Sequence, residues 1–189
     1  MPNEDTAPIP VQPSVARPGP RAVAFLFAAG VLLIVSTFLN LVTLPLPDGA
    51  PSPTVTAWGM DLGLGHTIQQ YVGVVTLIVG VALIVVAGAS LRPEFGWTRN
   101  ASLVAGGLGV GAGLYLAASG YSTGTFLSVL ASSSGEAISA TIGPGFILAL
   151  LGAIAALLAI ASPVRHTPAP VPPVEEPVVY QLDEDTPEE

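Results

Sequence analysis

The chain lays out four long apolar stretches, and its charged side chains fall between and beyond them. Residues 22–44 run AVAFLFAAGVLLIVSTFLNLVTL without a charge, and similar runs follow at 71–90, 101–119 and 144–161. At a rise of about 1.5 Å per residue, a helix over the first run is long enough to cross a hydrocarbon core of about 30 Å. That run also exceeds the roughly 7 to 15 apolar residues of a secretory signal, so it reads as a permanent anchor. The fourth run opens on Pro144, a residue suited to a helix's first turn because the N–H it lacks would have no partner there. The pattern predicts an all-α fold, a polytopic membrane bundle of four transmembrane helices over residues 21–162. Residues 1–20 are rich in proline and poor in large apolar side chains, so they are expected to be disordered. The same is expected of residues 163–189, proline-rich first and acidic last.

Four spans put both ends of the chain on one side, and the arginines say which. Arg17 and Arg21 precede the first run, Arg92 and Arg99 separate the second from the third, and Arg165 follows the fourth. The segments 45–70 and 120–143 hold Asp48, Asp61, His66 and Glu136 but no arginine. The positive-inside rule therefore predicts a multi-pass protein of the cell membrane with both termini cytoplasmic. Tyr71, Tyr121 and Phe146 fall near the expected outer boundary and Phe25 and Trp97 near the inner one, where aromatic belts are found. Composition agrees. Of 189 residues, 51% are apolar and 10% charged, whereas soluble domains carry about 25% charged residues. The net charge of −8 belongs to the tail, since seven of the thirteen acids lie in the last fifteen residues. Nucleic acid is not an expected partner of such a chain. It has no cysteine, which excludes disulfides, thiolate metal sites and cysteine nucleophiles.

The third run contains LVAGGLGVGAGLYLAASG, which invites comparison with a phosphate-cradling loop. A dinucleotide loop requires G-x-G-x-x-G between a strand and a helix, with an acid about 20 positions later. Here Gly107, Gly109, Gly111 and Gly113 alternate, and the motif's third glycine would fall on Ala112, Leu114 or Leu116. No cofactor is expected. On a helix, Ser102, Gly106, Gly109, Gly113, Ala117 and Gly120 advance in steps of three and four and form one stripe of small residues. Gly107, Gly111 and Ala118 form a second, about 100 degrees around. Lipid supplies no hydrophobic drive for helices to associate, so close backbone approach over small residues takes its place. Two stripes predict two neighbours for this helix: either both belong to this chain, or one stripe serves another subunit.

Other candidate sites are sparse. No Asp, Glu, Lys, Arg or His lies inside the four runs, which argues against a proton-coupled pump or an intramembrane hydrolase. Ser36, Asn40 and Thr43 share a face of the predicted first helix, with Thr76 in the second and Tyr115 and Ser119 in the third. They could line a shallow outward pocket or hydrogen-bond between helices, with Asn40 and Thr76 the expected pair. Asp61 and His66 offer two ligands where tetrahedral zinc wants at least three, so no metal site is expected. Trp58 is expected at the headgroup boundary or as a cap on the bundle. The segment 120–143 is rich in Ser, Thr and Gly, with a short apolar element at 126–131 expected to lie along the interface. In the tail, Val178, Val179, Tyr180 and Leu182 form an apolar island beside Asp183, Glu184 and Asp185, a pattern able to dock on a partner's groove or sheet edge.

The proline-rich start, the Trp58-bearing first loop, the turn LRPEFGWTRN and a last span opening GPGFILALLGAIAALL together resemble the layout of small four-helix membrane proteins of actinobacteria. That resemblance covers the membrane region and implies no catalytic or binding residues. The reading that emerges is a non-enzymatic interaction or scaffolding subunit. Its partners would be the lipid bilayer, a membrane protein or further copies of itself, and a cytoplasmic protein at the tail. A small transport or channel subunit working as an oligomer is the alternative.

Overall fold

The computed structural model describes residues 14–45, 52–62, 67–92, 94–132 and 139–168. Four helices dominate: α1 (Pro20–Thr37), α2 (Val72–Ser90), α3 (Thr98–Ser132) and α4 (Pro144–Ala161). All four are long and apolar enough to cross a membrane, so the mainly α class expected from the hydropathy pattern holds. They stand in a ring in which α1 and α3 each pack against both α2 and α4 and touch each other only lightly across the centre. Small residues set the spacing. A Cβ at Gly30 of α1 would lie 2.6 Å from the Gly80 carbonyl oxygen of α2, so these two backbones meet directly. Large side chains fill what remains: Leu26 and Leu33 of α1, Leu83 of α2 and Leu116 of α3 are fully buried.

Short strands close both ends of the bundle. At the end bearing the termini, β1 (Ser14–Pro18) and β7 (Val164–Pro168) pair antiparallel. Both strands lie in segments expected to be disordered, and each forms only by pairing with the other. At the opposite end, β2 (Val42–Thr43), β3 (Thr54–Thr56), β4 (Gly59–Asp61), β5 (Thr67–Gln69) and β6 (Thr141–Ile142) make one antiparallel sheet in the order β5-β4-β3-β2-β6.

That sheet explains two departures from the predicted spans. The first helix ends at Thr37, not at residue 44. Ser36 and Thr37 donate their hydroxyls to the Leu33 and Ile34 carbonyls, each at 2.7 Å, and the N–H of Leu41 leaves the helix for the Val55 carbonyl at 2.8 Å. The third helix instead runs 35 residues, about 50 Å, well beyond the roughly 30 Å of a hydrocarbon core. Residues 126–131, expected as a separate interfacial element, are its continuation. Its hydroxyl-rich sequence is helical throughout, and the side chains bond back to their own turns instead of diverting the backbone. Ser122 donates to Ser119 O at 3.0 Å, Thr125 to Tyr121 O at 2.9 Å and Ser128 to Thr125 O at 2.8 Å. This projecting end backs the sheet: Leu127 is buried with Leu41, Val42, Leu44, Val55 and Ala57 in a second core above the first.

Candidate functional site

Helix α3 presents its two stripes to different surroundings. A Cβ at Gly106 would lie 2.8 Å from Ile160 of α4, and one at Gly109 2.9 Å from Leu83 of α2 and 3.1 Å from Ala156 of α4. At Gly113 the added carbon would stand 2.7 Å from the Ala149 carbonyl oxygen and 3.0 Å from Ala153. Ala117 is buried, and Gly120 meets Leu41. This stripe is therefore consumed by the chain's own helices. Ser102, at its start, is half-buried and spends its hydroxyl on Arg99 O at 2.7 Å.

The second stripe faces outward. A Cβ at Gly107 or Gly111 would meet nothing within 4 Å, and both glycines and Ala118 are exposed. Val104, Leu108, Leu114 and Tyr115 stand exposed around them, three or four positions away and hence neighbours on the helix surface. The result is a shallow apolar trough with small residues along its floor, where none of the described residues comes within 4 Å of a Cβ added at Gly107 or Gly111.

The hydroxyls of Ser36, Thr76 and Ser119 bond within their own helices and not to a neighbouring one. Thr76 is buried and donates to Val72 O of its own helix at 3.0 Å. Ser119 does the same with Leu116 O at 2.9 Å, and Tyr115 is exposed. Asn40 and Thr43 lie past the end of α1, with Asn40 exposed and Thr43 in β2. The Asn40 carbonyl accepts from Gly145 N at 2.9 Å, which ties the exit of α1 to the start of α4.

Trp58 sits in the turn between β3 and β4, its ring 5.9 Å from that of Phe38. A Cβ at Gly73 of α2 would be 2.9 Å from its indole, so Trp58 caps the bundle as expected. Asp61 lies exposed on β4, while His66 lies outside the described residues. No group of three metal-ligating side chains occurs among the described residues. Val178, Val179, Tyr180 and Leu182 also lie outside them.

All five arginines belong to one end of the molecule. Arg17 is in β1, Arg21 in the first turn of α1, Arg92 just past α2, Arg99 in the first turn of α3 and Arg165 in β7. The described acids are Asp61 at the sheet end and Glu94 in the α2–α3 turn.

Four helices that are each long and apolar enough to cross a membrane give the chain the make-up of a multi-pass membrane protein. No family model matches the chain, and no curated protein matches it.

Proposed function

We propose that the protein is a non-enzymatic interaction or scaffolding subunit of the cell membrane, with both termini cytoplasmic. The observation that carries this reading is the outward stripe of α3. Glycine in a helix costs about 0.5–1 kcal/mol relative to alanine, and none of the described residues requires it at 107 or 111, since a Cβ there would meet open space. A neighbouring membrane helix supplies the requirement, because a glycine floor lets backbones approach where side chains would hold them apart. The orientation rests on the arginines at the termini end. The acidic tail, with Val178, Val179, Tyr180 and Leu182, is the element that recruits a cytoplasmic protein.

The chain has no cysteine, so a single one reports cleanly. Ala118→Cys, labelled with a thiol-reactive benzophenone and irradiated in native membranes, is expected to give a defined crosslinked dimer or a defined adduct with a partner. Val85→Cys, exposed on α2, is the control expected to give neither. Equal crosslinking at both positions, or none at 118, overturns the reading of the trough. A chain ending at Glu176 is expected to lose a crosslinked cytoplasmic partner; unchanged partners overturn the role of the tail. Solute flux through the purified protein in vesicles would overturn the scaffold reading in favour of transport.

A further inference from the structure

Two hollows meet at Pro20. One, of about 250 Å3, lies between the start of α1 and the chain leaving α4, lined by Gly19, Pro20, Arg21, Pro163 and Arg165. The other, of about 450 Å3, is an apolar groove between α1 and α2, lined by Pro20, Ala24 and Phe27 on one side and Ile84, Gly88 and Leu91 on the other. We propose that together they bind one anionic phospholipid of the leaflet on the termini side. Its phosphate lies between Arg21 and Arg165, and one acyl chain runs along the α1–α2 groove.

The polar half is built for an anion. Gly19 brings the two chain ends together, since a Cβ there would lie 2.9 Å from the Pro163 carbonyl oxygen. This puts Arg21 and Arg165 on one small cavity, and a guanidinium offers the planar fork that matches phosphate oxygens. The ribbon register also sets Arg17 opposite Arg165. Neither described acid lines the cavity.

The apolar half is left open by the chain itself. A Cβ at Gly88 would meet nothing within 4 Å, and Phe27 and Leu91 are exposed at 53% and 75% on the two sides of the groove. From Pro20 to Phe27 the helix rises about 10 Å. The groove therefore starts at the level of the arginines and runs inward, as an acyl chain does from its phosphate. Ordinary annular lipid contacts every apolar face alike; this site differs in joining a groove to a pair of cations. The proposal does not depend on the scaffold reading or on which side of the membrane the termini occupy.

The test is native mass spectrometry of the full chain in mild detergent, titrated with dioleoyl phosphatidylglycerol or dioleoyl phosphatidylcholine. One phosphatidylglycerol is expected to be retained in preference to phosphatidylcholine by about tenfold, the scale of a charge-assisted phosphate contact. Changing Arg21→Gln together with Arg165→Gln should bring phosphatidylglycerol down to the phosphatidylcholine level. Gly88→Leu should fill the groove and lose both lipids while the thermal unfolding midpoint stays put, because its Cβ enters open space and the rest of the side chain lies in the groove that the acyl chain would occupy. Soluble glycerol 3-phosphate should not displace the lipid. Equal retention of the two lipids, or an unchanged preference in the arginine variant, overturns the proposal, as does displacement by glycerol 3-phosphate. So does a chain that retains phosphatidylglycerol only when Glu175→Gln and Glu176→Gln are introduced, since those two carboxylates of its own tail would then be the occupant.

Discussion

Helix α3 carries two stripes of small residues made of the same amino acids, and only one of them is used by the fold. Along Gly106, Gly109 and Gly113 every added carbon would strike α2 or α4; along Gly107 and Gly111 it would strike nothing. The first stripe shows what glycine does inside a membrane bundle, where van der Waals contact between backbones must hold helices together without a hydrophobic drive. The second has the same form and lacks the partner. The difference separates residues needed to build the monomer from residues available for assembly, and it predicts opposite responses to the same substitution.

The largest effect is expected at Gly113. Its nearest obstacle is a backbone oxygen, 2.7 Å from the position of a Cβ, which cannot swing aside as a side chain can. Gly113→Leu should cost about 3 kcal/mol or more, the upper end for overpacking, and should lower the thermal unfolding midpoint in detergent or prevent folding. Gly109→Leu should cost less, because Leu83, the closest group there at 2.9 Å, is a flexible side chain. If the two are equally mild, close backbone contact is not what sets the α3–α4 distance.

Above the bundle the inner stripe continues through Gly120 and Gly124, which meet Leu41 and Val42, to Leu127 in the second core. Leu127→Ala is expected to cost about 2 kcal/mol, the low end for emptying a buried leucine site. It should also raise hydrogen exchange in β2 and β3 while sparing α1 and α2. Uniform loss of protection across all four helices would mean that the sheet and the bundle form one cooperative unit.

On the outer stripe the sign reverses. Gly107→Leu with Gly111→Leu removes two helix-weakening glycines at positions where an added Cβ meets none of the described residues, so the monomer should hold its stability or gain about 0.5–1 kcal/mol per site. Photocrosslinking through Ala118→Cys should disappear in the same variant. A destabilised monomer would show that the stripe is buried in the fold after all, and persistent crosslinking would show that its glycines are not the contact.

The four spans were legible because a membrane helix announces itself by length and lack of charge. The small-residue spacing of α3 was legible too. Which stripe faces inward was not, since that depends on where Ala149, Ala153 and Ala156 of α4 come to lie, and spacing along one helix holds no such information. The projecting end of α3 hid behind Ser and Thr, residues that favour loops when their hydroxyls compete with the backbone; here those hydroxyls bond within the helix. The sheet hid because its strands are two or three residues long, and β2 pairs with β6 from the far side of two helices. Pairing of that kind leaves no local period to read. The ends of α1 and α4 meet through Gly19 and Pro163, which neither terminal segment reveals alone.

The smallest expected effect bears on how polar groups are settled inside the bundle. Thr76 is buried beside the inner contacts of α2 yet bonds only to its own helix, at Val72 O. Thr76→Val keeps the shape and removes a hydroxyl whose acceptor is a helical carbonyl. No neighbouring helix is left with an unpaired group, and the change should stay within about 0.6 kcal/mol, the mean for polar contacts in membrane bundles. Asn40→Ala, at an exposed site past α1, should be similarly mild. In a double-mutant cycle the two should add, because they share no bond. A coupling above about 0.5 kcal/mol would reinstate the interhelical pair that the sequence suggested. It would then make polar bonding, alongside the glycine stripe, a determinant of how α1 and α2 meet.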